Sequence, residues 1–307
     1  MLVTDERIRG QSRSVANRRR FPPQLGIGVA LVAVAWPLAW SGLAPWSGYT
    51  FFPLWLGYIL TVDGLTAWRS GTSLLTRNPG RFALLFVFSI PLWWLFELAN
   101  RFLQNWQYLR GRSFDPIVQI ALSSLAFSTV MPAIFVTAAL YRTFPVFATE
   151  RCWLRIAPSR PGLVAIAVLG LALFAGSLAF PDVLFPFVWI GLFLLIDVIN
   201  ALTGGASIAA QIAERRWDTV LVLFASGLTC GFFWEMWNAW SLPKWVYDVP
   251  LVTMPKLFEM PLLGYGGYFP FALEVYAAYH LLHTLFFRRR DSYLRLDDSE
   301  QDRTQAA

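Results

Sequence analysis

The sequence predicts an all-α integral membrane protein of about eight transmembrane helices, arranged as two tandem parallel four-helix repeats. Three observations predict it. The chain is 56% hydrophobic and only 14% charged, a composition typical of membrane proteins. Eight apolar runs approach or reach the roughly 20 residues that span a bilayer. The second half also repeats the first. Trp55, Gly57 and Asp63 recur as Trp189, Gly191 and Asp197 at an offset of 134, and Glu97 and Asn100 recur as Glu235 and Asn238 at an offset of 138. Shared acids and amides inside apolar runs are not an effect of composition, and an internal repeat defines architecture.

The runs cover about 25–43, 51–68, 82–100 and 116–141, then 161–180, 184–203, 217–238 and 261–287. Four fall in each half. An even number returns the chain to its starting side, so the repeats are parallel, with a pseudo-axis along the membrane normal. The predicted parts are a disordered N-terminus over 1–20, a first repeat over 21–145, a linker over 146–160, a second repeat over 161–287 and a tail over 288–307. The first run resembles a secretory signal, but its counterpart from Pro161 to Phe180 argues that it is retained. With the N-terminus in the cytoplasm, 20 of the 25 lysines and arginines fall on inner segments. This bias places both termini in the cytoplasm and the protein in the plasma membrane. The net charge of +6 is thus a topology signal. No folded soluble domain supports nucleic-acid binding. Cys152 and Cys230 fall in different compartments, which argues against a disulfide, and their spacing is not of a metal-binding type.

Ionisable groups inside a bilayer are expensive and mark functional candidates. At 1.5 Å per residue, Asp63 lies roughly 18 Å from the outer surface, Asp197 at a similar depth, and Glu274 at roughly 20 Å. These three suggest an inner layer of carboxyl groups. Glu97 and Glu235, with Glu259 nearer the surface, suggest an outer layer. Asn100 and Asn238 follow their glutamates by three residues and share a helix face with them. Lysine and arginine are absent at these depths. A buried carboxyl without a cation partner favours its neutral form, which suits a Brønsted acid and equally a proton or cation site. Polar bonds between helices are the structural alternative.

The halves differ in one stretch. Glu274 stands opposite Val136, and Glu259 has no acidic counterpart. The run F-E-M-P-L-L-G-Y-G-G-Y-F-P-F-A-L-E-V-Y, Phe258–Tyr276, is rich in glycine and tyrosine, including Tyr265. Such glycines suit either close helix packing or an approaching ligand. Both outer loops carry Trp-x-Tyr, at Trp106–Tyr108 and Trp245–Tyr247. They read as an interfacial aromatic belt or as a lid of aromatic faces, with Trp234 and Trp237 nearby, over an apolar ligand. His280 and His283 read as interfacial, with no metal-ligand set around them. No phosphate-binding loop, paired Asp-rich motif or serine nucleophile motif is present.

The run from Trp234 through Tyr247 to Glu274 resembles membrane proteins of carotenoid biosynthesis, of the lycopene cyclase domain and carotenoid hydratase types. The matching positions are Glu235, Trp245, Tyr247, Glu259, Pro261 and Leu262, partly repeated as Glu97, Trp106 and Tyr108. The resemblance implies cofactor-independent acid chemistry on an apolar isoprenoid, by protonation of a double bond and then cyclisation or hydration. Glu235, Glu259 and Glu97, with Asn238 and Asn100, would be catalytic. Trp234, Trp237, Trp245, Tyr247, Tyr265, Asp63, Asp197 and Glu274 would bind substrate. A proton- or cation-coupled transporter and a membrane scaffold without chemistry are the other readings. No metal or cofactor is expected.

Overall fold

A computed structural model describes residues 21–109, 115–148, 154–250, 254–287, 291 and 293–294. The N-terminal segment 1–20, most of the tail, Cys152 and the loop arginines 110, 112 and 151 lie outside the described residues. The first half comprises α1 (Pro23–Trp40), α2 (Phe51–Ser70), α3 (Leu74–Arg77), α4 (Pro79–Leu103), β1 (Trp106–Leu109), α5 (Pro116–Phe127), α6 (Val130–Tyr141) and α7 (Pro145–Ala148). The second comprises α8 (Arg160–Ala179), α9 (Pro181–Leu184), α10 (Phe187–Thr203), α11 (Ile208–Ala213), α12 (Asp218–Asn238), β2 (Lys244–Tyr247), β3 (Lys256–Leu257), β4 (Met260–Pro261) and α13 (Tyr268–Phe287).

The protein is mostly helical. Among the described residues five helical stretches are long and apolar enough to cross a membrane: α1, α4, α5 with α6, α8 and α12. Helix α10 is equally apolar but shorter. Helices α2 and α13 have 20 residues each; α2 carries Asp63, and α13 carries Glu274, His280 and His283.

Local signals set the ends. Pro79, Pro116 and Pro161 enter first turns, where a missing N–H costs nothing. Asn78, Asp115 and Ser159 accept bonds from the first-turn amides of α4, α5 and α8. Gly71 and Gly204 close α2 and α10 in left-handed conformation, φ +85° and +76°, which glycine adopts without strain.

Helices α6 and α13 form the centre. Helix α6 packs on α2, α4 and α12, and α13 packs on α10, α12 and α4. Glycines bring the outer pairs together. Gly28 of α1 faces the backbone of Gly57 and Thr61 on α2, and Gly170 of α8 faces Gly191 and Leu195 on α10. Water does not drive helices together inside lipid, so such small-residue contacts carry association. A Cβ at Gly28 would sit 2.4 Å from the Thr61 nitrogen. Gly28→Ala is therefore expected to cost about 1–3 kcal/mol through forced separation, whereas Gly80→Ala, with no neighbour nearer than 3.5 Å, should be near neutral. Thermal unfolding of both variants in detergent micelles checks this.

The run 116–141 is one apolar stretch, with a turn at Ser128–Thr129 between α5 and α6. One expectation requires correction: the run expected as a helix from Pro261 is α-helical only from Tyr268. Residues 254–267 instead form the β3–β4 hairpin and a 3-10 segment, Leu262–Gly267. Three glycines in six residues give that segment little α-helical preference. Helices α6 and α13 start 138 residues apart, so the hairpin occupies the sequence position of α5. In the tail, Tyr293 and Leu294 are buried and the Tyr293 hydroxyl donates to the Leu74 carbonyl, 2.7 Å. Asp291 accepts from the Tyr279 hydroxyl and lies 3.5 Å from His283. His283 also contacts Arg81. Both histidines are buried within the protein, and no metal-ligand group occurs among the described residues.

Candidate functional site

A cavity of about 510 Å³ lies between the two halves, beside β1 and β2. That size is typical of a ligand site. Its roof is a two-stranded antiparallel ribbon of β1 and β2, registered Trp106 to Tyr247 and Tyr108 to Trp245. Alternate residues share a face in a strand, so Trp106, Tyr108, Trp245 and Tyr247 present four rings together, and all four line the cavity. The two Trp-x-Tyr segments thus form one ribbon over the cavity.

Each strand is held by the asparagine of the preceding helix. Asn100 donates to the Trp106 carbonyl, 2.8 Å, and accepts from the amides of Asn105 and Trp106, 2.9 and 3.3 Å. Asn238 donates to the Trp245 carbonyl, 2.7 Å, and accepts from its amide, 2.8 Å. The two side-chain amides therefore position the roof, and Asn238 also lines the cavity.

The glutamates differ. Glu97 lines the cavity. Its Oε1 accepts from Trp93 Nε1 (3.0 Å), Trp106 Nε1 (3.2 Å) and the Tyr108 hydroxyl (2.6 Å). Glu235 is wholly buried and lies behind the wall. Its Oε1 accepts from the hydroxyls of Tyr247 (2.6 Å) and Tyr268 (2.7 Å), both of which line the cavity, and its Oε2 has no protein partner. Trp245 Nε1 in turn donates to the Tyr247 hydroxyl, 2.8 Å.

Trp234 and Trp237 also line the cavity, and Trp234 stacks on Tyr268 with centroids 6.0 Å apart. Glu259 stays outside the wall and pairs with Lys244, which lines it. Glu259 is thus the one candidate acid with an ion-pair partner among the described residues. Tyr265 turns away and donates to the Leu257 carbonyl, 3.2 Å.

The inner carboxyl layer does not form as expected. Asp63 accepts from the Leu75 amide (3.1 Å), the Ser73 hydroxyl (2.7 Å) and Gln24 (3.4 Å). Asp197 accepts from the amides of Ile208 and Ala209, 2.7 and 2.8 Å. Each aspartate accepts from the first-turn amides of a short helix, α3 or α11, so both secure the segment that follows their own helix. Glu274 is wholly buried in α13 with neither oxygen bonded to protein, outside the cavity wall.

Trp93, Trp189, Tyr268, Phe271 and Lys244 join the site although none was among the candidate site residues. Tyr268 had a readable signal. Gly227 and Gly231 form a G-x-x-x-G on α12, and Cβ atoms there would lie 2.4 Å from the Tyr268 carbonyl oxygen and ring. The two glycines make the recess in which Tyr268 reaches Glu235.

Burial first, then the adjacent Glu97, pushes the Tyr108 phenol well above the ordinary tyrosine value. Burial and then Glu235 do the same for Tyr247. A phenol raised in the folded state contributes stability that is fully present below the unfolded pKa, about 10. That contribution is lost as pH rises through the folded value. A spectrophotometric titration should therefore show tyrosinate appearing later in folded protein than in unfolded protein, and Tyr108→Phe with Tyr247→Phe should shrink the late phase.

Compared with known protein families, curated proteins and solved structures, the chain matches none.

Proposed function

We propose that this is a multi-pass membrane protein built as two tandem parallel four-helix units, with both termini cytoplasmic in the plasma membrane, whose cavity takes an apolar ligand of the isoprenoid class. The observation that carries the reading is the cavity itself, walled by aromatic rings, with Glu97 on its surface and Glu235 one tyrosine hydroxyl behind it. The matched bonds of Asn100 with β1 and Asn238 with β2 support the tandem arrangement, as do the matched glycine contacts of α1–α2 and α8–α10.

The chemistry that fits is cofactor-independent acid catalysis, as the resemblance to carotenoid-biosynthesis proteins implies. Two carboxyl groups in unlike surroundings take unlike roles. Glu235, in its protonated form, is the proton source: the Tyr247 or Tyr268 hydroxyl turns to give its own proton to the double bond while its oxygen takes the carboxyl proton, which leaves a Glu235 carboxylate that takes the proton back when the cation collapses. Protonation of a double bond leaves a carbocation, which the ring faces and Glu97 stabilise. The cation then loses a proton, which closes or shifts a double bond, or captures water. Chromatography and mass spectrometry of lipid extracts test this. Cells expressing the wild type should contain an altered isoprenoid that empty-vector cells lack, and Glu235→Gln should cut it by about 10²-fold or more, the scale of lost general acid catalysis. Undiminished product in both Glu235→Gln and Glu97→Gln would refute the assignment.

A carrier is favoured by one observation, the matched starts of α6 and α13 just before Pro132 and Pro270, since interrupted helices at equivalent places are typical of transporters. It predicts proton or cation flux into liposomes, and flux indifferent to Glu97→Gln and Glu235→Gln would count against it. A scaffold without chemistry predicts that all six acids tolerate amide substitution.

A further inference from the structure

One part of the cavity is built differently from the rest. Trp93 meets Phe271 edge to face, centroids 6.0 Å apart, and Phe271 meets Trp189 at 5.4 Å. Trp189 in turn stacks with Trp106 at 6.5 Å. Trp93 and Trp106 are joined through Glu97 Oε1, to which both indoles donate. The four rings and the carboxyl group form a closed circuit, and all five residues line the cavity. The second half has no such circuit, because Glu235 is withdrawn behind Tyr247 and Tyr268.

Electrostatics distinguish this circuit from an ordinary apolar wall. Three donors and no acceptor surround Glu97 Oε1, the surroundings that suit an ionised carboxylate, which only accepts hydrogen bonds. Among the described residues Lys244 is the one cation on the cavity wall, and it is paired with Glu259. Glu97 therefore has no protein counter-ion among them. A charge in a low-dielectric site requires one. Aromatic faces attract cations through their quadrupoles, and they do so most where water is excluded. A compact hydrated metal ion suits indole and phenyl walls poorly. An organic cation with methyl groups around its charge suits both the rings and the carboxylate.

We propose that the Trp93–Phe271–Trp189–Trp106 box, closed by Glu97, binds the positively charged head of an amphiphile, of the quaternary ammonium or substituted-amine class. Its apolar chain lies along the remaining wall past Leu54, Phe127 and Val130. The proposal rests on the cavity being a ligand site, as argued above, and adds the charge of its ligand.

The test is calorimetric titration of the purified full chain in maltoside micelles with three probes of equal chain length: hexyltrimethylammonium, hexanol and hexyl sulfate. The wild type should bind the ammonium at least about tenfold more tightly than the alcohol, the scale of a desolvated cation–π and ion-pair contact, and the sulfate most weakly. Glu97→Gln should erase the preference for the ammonium over hexanol. Trp189→Leu, which keeps the carboxylate, provides a second variant and should reduce the preference in the same direction. Equal affinity of the wild type for ammonium and alcohol would overturn the proposal while leaving the apolar cavity intact. Retention of the full preference in both variants would also overturn it. Failure of every probe to bind would overturn it together with the cavity reading on which it rests.

Discussion

Asp197→Ala is expected to destabilise the protein by about 2–6 kcal/mol, because it leaves two buried amides, those of Ile208 and Ala209, without acceptors at about 1–3 kcal/mol each. The side chain is 3% exposed, so water does not replace it. Asp63→Ala should cost less, about 1–3 kcal/mol. Asp63 holds one backbone amide, and its other partners are the side chains of Ser73 and Gln24, of which Ser73 has Thr76 as an alternative at 3.1 Å. Thermal unfolding in micelles measures both. The order matters more than the size. A larger loss at Asp63 would contradict the loop-anchoring role, as would a change in ligand affinity in folded Asp197→Asn, since Asp197 does not touch the cavity.

Asn238→Ala should release the second strand of the cavity roof. The side chain holds both the amide and the carbonyl of Trp245, and their loss corresponds to about 2–4 kcal/mol. Asn100→Ala should act similarly on Trp106. The functional consequence should exceed the thermodynamic one. With Trp245 and Tyr247 no longer held over the cavity, Glu235 loses one of its two tyrosine donors, and ligand retention should fall even where the fold survives. Asn238→Asp separates the contributions. It keeps the acceptor for the Trp245 amide but places an oxygen against the Trp245 carbonyl, so it should fall between wild type and Asn238→Ala. Unchanged ligand retention in folded Asn238→Ala would show that the ribbon does not close the site.

The helices were legible in the sequence because length and apolarity alone mark them, and the positions of Glu97, Glu235, Asn100 and Asn238 were legible because the chain repeats them. The roles of the asparagines were not. Spacing of three on a helix places a glutamate and an asparagine on one face, but it does not show that the asparagine turns outward to a strand beyond the helix end. Nor does local sequence reveal that strands some 140 residues apart pair with each other. The roles of the aspartates had a signal in the letters. Gly71 and Ser73 recur as Gly205 and Ser207 at the same offset that relates Asp63 to Asp197, which marks a repeated turn and helix cap rather than a layer of free acids. The Lys244–Glu259 pair joins β2 to the hairpin that stands in the place of α5. It was hidden because the Pro261 run reads as apolar enough for a helix, and three glycines outweigh that apolarity.

The asymmetry also changed sides. Glu259, the extra acid of the second half, is engaged by Lys244, and Glu274 is sealed in α13. Glu97 of the first half faces the cavity directly. Identical letters at Glu97 and Glu235 thus carry different roles, because Tyr268 and the two glycines beneath it are present only in the second copy.

The central claim is that the space under the ribbon holds an apolar ligand. Mass spectrometry of organic extracts from the purified protein tests it most directly, by comparing the wild type with Ala126→Trp. Ala126 lies on the cavity wall in α5, a helix with no fully buried residue, so the larger side chain fills the cavity with little cost to folding. The wild type should carry a tightly retained isoprenoid-class molecule, and Ala126→Trp should carry little or none. An equal amount of the same molecule in both proteins would contradict the claim, as would a folded wild type from which no apolar molecule is recovered.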